Sequence, residues 1–117
     1  MKETFPPRER IRKKKDFSLL YREGKHYKGK YFNLVYLPNN LCFSRMAVIV
    51  SKKIGKAVIR NKLKRRIREL FRRNKHLFQE NIDILIVVKN GIQELPWPVL
   101  HESYVKAIES LWGKKIS

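Results

Sequence analysis

A strongly basic segment from Ser51 to Lys75 lies between two apolar runs and constrains the fold more than any other stretch. It reads SKKIGKAVIRNKLKRRIRELFRRNK, and Glu69 is its only acid. With about 100° between successive residues of a helix, its apolar side chains form one stripe: Ile59, Leu63, Ile67 and Leu70, with Phe71 at the edge. A second face carries Arg60, Lys64, Arg68 and Arg72, with Asn61 and Arg65 beside them. The segment predicts an amphipathic helix that packs on a core.

The basic face of this predicted helix indicates a polyanionic ligand. Like charges at neighbouring helical positions repel by about 0.2–0.5 kcal/mol per pair, and a bound polyanion removes that cost. A solvated helix face is the alternative, but such faces usually mix charges of both signs. The whole chain has 28 Lys and Arg against 10 Asp and Glu, a net charge of +18. Nucleic acid is therefore the first candidate partner, and an anionic membrane surface is the second.

The remaining hydrophobic pattern predicts alternating helices and strands. We expect strands where apolar, aromatic and β-branched residues cluster, at Tyr31–Leu37, Phe43–Ser51 and Ile82–Val88, the last of them central. We expect helices at Lys14–Glu23, Lys56–Asn74 and from Pro96 to Trp112. Gly24 is expected to end the first helix as its C′ residue. The run Met46–Val50 is expected to be buried on both faces of the sheet.

This order, roughly α-β-β-α-β-α, predicts an α+β fold with one sheet. The length of 117 residues suits a single domain, 1–117, in which residues 1–12, basic and with two prolines, form an extended arm. The basic and C-terminal helices should cover one face of the sheet, and the other face should be partly open. Asp83 is expected to be a residue at the entry of its strand.

Side chains able to carry catalysis or bind metal are too scattered to predict a protein active site. Asp16 and Asp83 are the only aspartates, and the histidines have no Cys or acid at ligand spacing. No Gly-rich phosphate-binding loop is present. We therefore predict no catalytic residue, no metal ligand and no protein-bound cofactor. The single Cys42, the absence of a signal pattern and the lack of a long apolar run predict a soluble cytoplasmic protein.

Three apolar residues of the first predicted helix share one face. They are Phe17, Leu20 and Tyr21, at spacings i, i+3 and i+4. Leu20 is expected in the core. The spacing leaves two alternatives for Phe17 and Tyr21, which either join the core or stay partly open and stack on unpaired bases.

Two motifs give the chain a resemblance to a known family. The first is R-N-x-x-K-R-x-x-R from Arg60 to Arg68, preceded by the run SKKIGKA; the second is R-x-R-x-x-x-D-F from Arg10 to Phe17, followed by Gly24. The chain thereby resembles the bacterial ribonuclease P protein subunit. The resemblance implies a small two-layer α-β sandwich with a left-handed β-α-β crossover, an exception to the usual right-handed rule.

The resemblance also implies a function and a set of partners. The protein would bind a large catalytic RNA that holds Mg²⁺ and performs hydrolysis, and would help it remove the 5′ leader from precursor tRNA. No obligate protein partner is implied. A ribosomal or RNA-chaperone protein that binds structured RNA without processing it is the alternative. A membrane-binding role is disfavoured, because the apolar stripe of the basic helix is needed for the core.

Individual positions match the functional residues of the family. Those matching its RNA-facing motif and the basic residues before it are Lys52, Lys53, Lys56, Arg60, Asn61, Lys64, Arg65 and Arg68. Those matching its leader-binding cleft are Phe17, Tyr21, Val35 and Lys89. The chain departs from the pattern at Val35, which is aromatic in some members, and at Ser51, which is basic in some. These departures imply a leader contact that differs in detail from that of other members, whereas the residues for the catalytic-RNA contact are kept.

Overall fold

The computed structural model describes residues 5–112, which form three α-helices and four strands. In chain order they are α1 (Lys14–Glu23), β1 (Lys25–Lys28), β2 (Phe32–Pro38), β3 (Arg45–Val50), α2 (Ala57–Arg73), β4 (Ile82–Val88) and α3 (Trp97–Ser110). The predicted α+β class is confirmed, with every predicted helix and strand present within a few residues. Strand β1 was not predicted, because its sequence KHYK is polar and mostly exposed, without the apolar alternation that marks a strand.

The four strands form one mixed sheet with the order β1-β2-β4-β3. Strand β2 pairs antiparallel with both β1 and β4, whereas β3 runs parallel to β4. Helix α2 connects the two parallel strands and so forms the predicted β-α-β unit; its left-handed sense stays a prediction of the resemblance. Strand β4 has a neighbour on each side and is apolar along almost its whole length, as a central strand requires.

One face of the sheet holds the main core. Helix α2 contributes Leu63, Ile67, Leu70 and Phe71, and α3 contributes Leu100, Tyr104 and Ile108, all buried against β4 and its neighbours. The predicted cover by the basic and C-terminal helices is confirmed. Ile59 was predicted to belong to the same stripe, but 40% of it is exposed. It lies in the first turn of α2, next to the exposed Val58, ahead of the part of the helix that the core covers.

The second face of the sheet is covered in part by α1. Leu20 packs there with Ile11, Val35 and Leu85 in a smaller cluster, so the core position predicted for Leu20 is confirmed. Helix α1 lies over β2 and β4 and leaves the far end of β3 uncovered. Ile49 in that strand is 37% exposed, so the expectation that Met46–Val50 is buried on both faces was wrong. The reason is that β3 is an edge strand and that Ile49 lies toward its far end, past the part that α1 contacts.

An ion-pair network fixes α1 to the sheet. Arg45 on β3 donates two hydrogen bonds to Asp83 on β4, from Nε at 2.9 Å and from Nη2 at 2.6 Å. A second amino group of Arg45 lies 3.6 Å from the carboxylate of Asp16 on α1. Asp83 is the second residue of its strand, as expected, and it is buried because Arg45 neutralises it.

Residues 5–12 of the predicted arm lie along the edge of β3. The backbone of Arg10 is extended and bridges Met46, and Ile11 N donates to Met46 O at 3.0 Å. Glu9 is buried and forms a 2.7 Å ion pair with Lys75, just after α2. The arm is therefore docked rather than free over these residues; residues 1–4 lie outside the described part of the chain.

Gly24 ends α1 for a reason other than the one expected. Its φ of −74° and ψ of 159° are extended, so no left-handed C′ conformation is required. A Cβ atom at this position would lie 2.5 Å from Leu20 O and 2.9 Å from Val35 Cγ1. Glycine is needed here because the helix end and the sheet approach each other too closely for any side chain.

We predict that Gly24→Ala lowers the free energy of unfolding by about 1–3 kcal/mol, because the methyl group forces α1 away from β2. Urea denaturation followed by circular dichroism measures the change. Ser18→Ala, on the exposed side of the same helix, is the control and should stay within about 0.5 kcal/mol of the parent. Equal stability of Gly24→Ala and the parent protein would contradict the steric explanation.

Candidate nucleic-acid interface

Helix α2 and the turn before it present the basic surface that the sequence predicted. Lys52, Lys53, Lys56, Asn61 and Arg65 are exposed, whereas Arg60, Lys64 and Arg68 are half-buried. Arg60, Asn61, Lys64, Arg65 and Arg68 lie on α2 beside its apolar side, which is in the core, so their backbone positions are fixed. The structure thus brings together the eight residues of the predicted RNA-facing set, here called the basic face; their contact with RNA stays a prediction.

One hydrogen bond attaches the turn that leads into α2 to the helix, and a second lies within the turn itself. Arg60 Nε donates to Gly55 O at 3.0 Å, and Lys53 N donates to Ser51 Oγ at 3.0 Å. These contacts hold Lys52 and Lys53 close to the first turn of α2. That turn has no side-chain cap and no acid, so the positive end of the helix dipole adds to the field of the basic face.

The single acid of α2 does not neutralise the basic face. Glu69 accepts hydrogen bonds from Arg72 and Arg73. The bond from Arg72 and then that from Arg73 lower the pKa of Glu69 to about 2, against the opposing effect of its partial burial. Glu69 is therefore ionised at neutral pH and is engaged by the last turn of α2, away from Arg60, Asn61 and Lys64.

A cavity adjoins the basic face on the side of α1. It has a volume of about 260 Å³ and is lined by Phe5, Arg10, Ile11, Arg12, Phe17, Met46, Ala47, Val48 and Arg68. It therefore joins the N-terminal segment, α1, the edge strand β3 and one residue of the basic face. Burial, and then the positive charge of Arg10, lower the pKa of Arg68. We call this cavity the arginine pocket.

The four residues predicted to line a leader-binding cleft do not all come together. Phe17 is half-buried in the arginine pocket, and Tyr21, 52% exposed, follows one turn later on α1. Both therefore leave ring surface open, which favours the second of the alternatives that the sequence left for them.

Val35 is only 4% exposed and packs between α1 and the sheet, which contradicts its predicted contact with a bound strand. Helix α1 covers the side chain of Val35. Lys89 lies at the end of β4, where its Nζ donates to Gly29 O at 2.7 Å in the β1–β2 turn. Its predicted contact with a leader stays a prediction.

The sequence-based site omitted Arg10 and Arg12, although they were part of the quoted motif. The sequence feature that could have revealed them is the alternation Arg10-Ile11-Arg12. In an extended segment it places both arginines on the side opposite a buried isoleucine. That alternation was missed because residues 1–12, with two prolines, were read only as an extended arm.

Within residues 5–112, no group of three or more His, Cys, Asp and Glu side chains lies close enough to hold a metal ion. The same part of the chain contains no helix that is both long and apolar enough to span a membrane.

The fold and the basic face define a small α+β protein with a rigid surface for a polyanion, and comparisons with known proteins identify its family. The family model described as ribonuclease P matches residues 5–112. The ribonuclease P protein component of Thermotoga maritima is 43% identical over 94 residues, covering 80% of each chain. That of Dictyoglomus turgidum is 39% identical over 112 residues, covering 94% of this chain and 91% of its own.

Solved structures agree with this result. The structure of the Thermotoga maritima protein has a TM-score of 0.79 at 33% identity, covering 86% of this chain and 96% of its own. A Staphylococcus aureus RNase P protein mutant has a TM-score of 0.83 at 28% identity, covering 90% and 89%. The chain belongs to the ribonuclease P protein family and is the protein subunit of a ribonuclease P holoenzyme.

We predict that Glu69→Gln lowers the free energy of unfolding by about 0.5–1 kcal/mol at pH 7, because a partly exposed carboxylate loses two arginine partners. The folded-state pKa is about 2, below the ordinary value of 4.5, so the contribution of Glu69 is complete above pH 4.5 and is lost as the pH falls toward 2. Denaturation at a series of pH values should show the two proteins converging in acid.

Glu102→Gln is the matched control, since Glu102 forms a more exposed i,i+4 pair with Lys106 at 3.3 Å. It should change stability less than Glu69→Gln does at pH 7. A difference between Glu69→Gln and the parent that is independent of pH would contradict the ion-pair explanation.

Proposed function

We propose that this subunit binds the catalytic RNA of ribonuclease P through the basic face and positions the 5′ leader of precursor tRNA beside α1. The observation that carries the proposal is the position of the basic face: it is fixed to the core by the apolar side of α2 and adjoins a pocket that contains Phe17. A fixed cationic surface loses little conformational entropy when it binds, which favours a structured RNA partner.

The side-chain chemistry supports separate contacts, with the catalytic RNA at the basic face and with the leader beside α1. Arginine and lysine side chains bind phosphates without reading sequence, as docking to an RNA backbone requires. The rings of Phe17 and Tyr21 can stack on unpaired bases of any identity, at about 1–3 kcal/mol per base. A leader that differs between precursor tRNAs needs a contact of that tolerant kind. Asn61, exposed among cations, can hydrogen-bond a phosphate or a ribose hydroxyl of the catalytic RNA.

We assign the magnesium ions of the reaction to the RNA. The net charge of +18 and the basic face repel a divalent cation, whereas RNA phosphates attract it. The chemistry of leader hydrolysis would then take place on the RNA, with the protein as binding and positioning subunit.

We place the protein in the cytoplasm, a reducing compartment compatible with an exposed free Cys42. The family match favours this function over a ribosomal or RNA-chaperone role.

Reconstitution tests the proposal. The purified protein is mixed with bacterial ribonuclease P RNA and precursor tRNA at low magnesium concentration, and removal of the leader is followed by gel electrophoresis. We expect cleavage to be at least about tenfold faster than with the RNA alone, because the protein neutralises RNA phosphates and binds the leader. A lysine-rich peptide at equal charge concentration is the control for general neutralisation. Cleavage no faster than with RNA alone or with this peptide would refute the proposal.

We predict that Phe17→Ala and Tyr21→Ala each weaken holoenzyme binding of precursor tRNA by about 5- to 100-fold, through the loss of base stacking. Binding of mature tRNA, which lacks the leader, should stay the same; filter binding of both ligands measures the difference. Leu19→Ala is the matched control, because Leu19 is a partly exposed residue on the opposite side of α1. Equal losses for precursor and mature tRNA would remove the leader contact from α1.

A further inference from the structure

Another cavity lies between α3 and the turn that joins β1 to β2. It has a volume of about 220 Å³ and is lined by Tyr27, Gly29, Lys30, Tyr31, Phe32, Ser103, Lys106 and Ala107. We call it the α3 pocket. Phe32 belongs to the main core under α2 and α3, so the pocket lies on the face of the sheet opposite to α1. Its lining combines aromatic rings with two cations and includes no acid.

The β1–β2 turn that forms one wall of the α3 pocket is held by hydrogen bonds. Gly29 N donates to Phe32 O at 2.8 Å. Lys89, just after β4, donates from its backbone N to Tyr31 O at 2.9 Å and from its Nζ to Gly29 O at 2.7 Å. The ring of Tyr27 lies against Gly29, where a Cβ atom would be 2.9 Å from Tyr27 Cε2. The wall is therefore preorganised, and little conformational entropy is lost when a ligand binds to it.

Small residues of α3 create the space of the pocket. Ser103 and Ala107 are one turn apart on α3 and line the cavity, beside the core residues Tyr104 and Ile108. A larger side chain at either lining position would fill it. Within residues 5–112, the hydroxyl groups of Ser103 and Tyr27 form no hydrogen bond. Both are therefore free to bind donors and acceptors of a ligand.

The two lysines of the pocket are exposed and differ in their neighbours. Lys30 Nζ lies 5.3 Å from the ring centre of Tyr31, and within the described residues it pairs with no carboxylate. Lys106 forms an ion pair of 3.3 Å with Glu102, one turn earlier on α3. Water screens an exposed pair of this kind, so an anionic group of a ligand can compete for Lys106.

The size of the α3 pocket limits what it can hold. Pockets for whole small molecules usually have about 300–1,000 Å³, whereas one water molecule occupies about 30 Å³. At about 220 Å³, the pocket has room for one planar ring but not for a larger molecule. A charged group attached to that ring would lie outside, at the two lysines. A nucleobase with its phosphate has this form.

We propose that the α3 pocket binds one unpaired nucleotide of an RNA strand, with its base on the rings of Tyr27 and Tyr31 and its phosphate at Lys30 and Lys106. The site lies apart from both surfaces used in the proposed function. Because stacking and phosphate contacts read no sequence, it accepts any base.

An RNA strand fits this pocket better than a free nucleotide does. One stacked base and two exposed lysines make a weak site. RNA that is already bound at the basic face raises the effective concentration of its unpaired nucleotides near the pocket, which compensates for weak contacts. This choice of occupant rests on the proposed RNA contact of the basic face.

The surface around the pocket disfavours a membrane as the partner. Tyrosine and lysine also occur together at membrane interfaces, where neighbouring apolar side chains enter the lipid. None of the exposed large apolar residues of the described chain lines the pocket; they are Leu19, Tyr21, Leu41, Ile49, Val58, Ile59 and Val99. An acidic peptide would engage the lysines but leave the aromatic rings without a partner.

Nuclear magnetic resonance of the full-length protein tests the site directly. The backbone amide signals of Gly29 and Ser103 report on the two walls of the pocket while one probe at a time is added. The probes are pentaadenylate RNA, adenosine monophosphate, inorganic phosphate, a hexaglutamate peptide and phosphatidylglycerol vesicles. We expect the RNA and the mononucleotide to shift both signals, the RNA at lower concentration, and the other probes to leave them unchanged at the same concentrations.

Two substitutions of Tyr27 test the stacking contact. Tyr27→Leu keeps an apolar side chain but loses the ring, so it should weaken pentaadenylate binding, measured at the Ser103 signal, by about 5- to 100-fold. Tyr27→Phe keeps the ring and should stay within about twofold of the parent protein. Ser103→Leu fills the pocket and should abolish the shift at Gly29. If Ser103→Leu does not fold, the two Tyr27 variants still decide.

A matched pair of lysines tests the phosphate contact. Lys30→Ala should make the salt dependence of pentaadenylate binding at the Ser103 signal shallower, by about 0.7 in the log–log slope, which is one phosphate contact to a single strand. Lys28→Ala removes the same charge from the same hairpin. Because Lys28 follows Tyr27 directly on β1, its side chain lies on the other face of the sheet, and the slope should stay the same.

The reconstituted holoenzyme identifies the RNA that supplies the nucleotide. Thiouridine is placed in precursor tRNA in one sample and in ribonuclease P RNA in another. After irradiation, cross-links to peptides that contain Tyr27 or Tyr31 are mapped by mass spectrometry. A cross-link from an unpaired nucleotide of either RNA supports the proposal and shows which RNA occupies the pocket.

The inference is overturned if neither nucleotide probe shifts the signals of Gly29 and Ser103, or if phosphate, the acidic peptide or the vesicles shift them as strongly. Equal binding by Tyr27→Leu and Tyr27→Phe would remove the stacked base. Absence of cross-links from both RNAs would refute the strand as occupant. Failure of the proposed function is seen separately, because the parent protein would then not accelerate leader removal.

Discussion

Burial of the apolar side of α2 against the sheet is the constraint on which the rest of the structure depends. A helix with so many like charges is disfavoured in isolation by about 0.2–0.5 kcal/mol per neighbouring pair. Each fully buried Leu, Ile or Phe contributes about 1.5–3 kcal/mol in the opposite direction. Leu63, Ile67, Leu70 and Phe71 are all buried. Packing therefore outweighs repulsion, and the helix is stable because it is docked.

Docking of α2 also determines how the protein can act. With the apolar side of α2 fixed on the sheet, the basic face is directed outward, and Arg60 attaches the preceding turn to the same helix through Gly55. On the other side of the sheet, Arg45 links Asp83 to Asp16 and so holds α1 in place. The positions of Phe17 and Tyr21 relative to the basic face thus depend on one guanidinium and on the close approach at Gly24.

The edge of β3 lies next to both the basic face and the arginine pocket. An uncovered edge strand would offer its backbone to other chains. Residues 10 and 11 occupy that edge in part, and in doing so bring Arg10 and Arg12 next to Arg68. The same docked segment that covers the edge therefore supplies the cations of the arginine pocket. The covering of this edge and the positions of Arg10 and Arg12 therefore depend on one short stretch of chain.

The sequence by itself determined the helices, three of the four strands, the central place of β4 and the residues of the basic face. Each of these follows from the pattern of apolar and charged residues within its own segment. It could not determine which face α1 covers or how far it extends. Val35 was therefore expected in the cleft but is buried, and Ile49 was expected to be buried but is exposed. Strand β1 depends on pairing with β2 rather than on its own apolar pattern. The arginine pocket is formed by four separate segments, and only the tertiary structure brings Arg10, Arg12 and Arg68 next to Phe17. The physical reason is that the spacing of residues within one segment carries no information about its contacts with a distant segment.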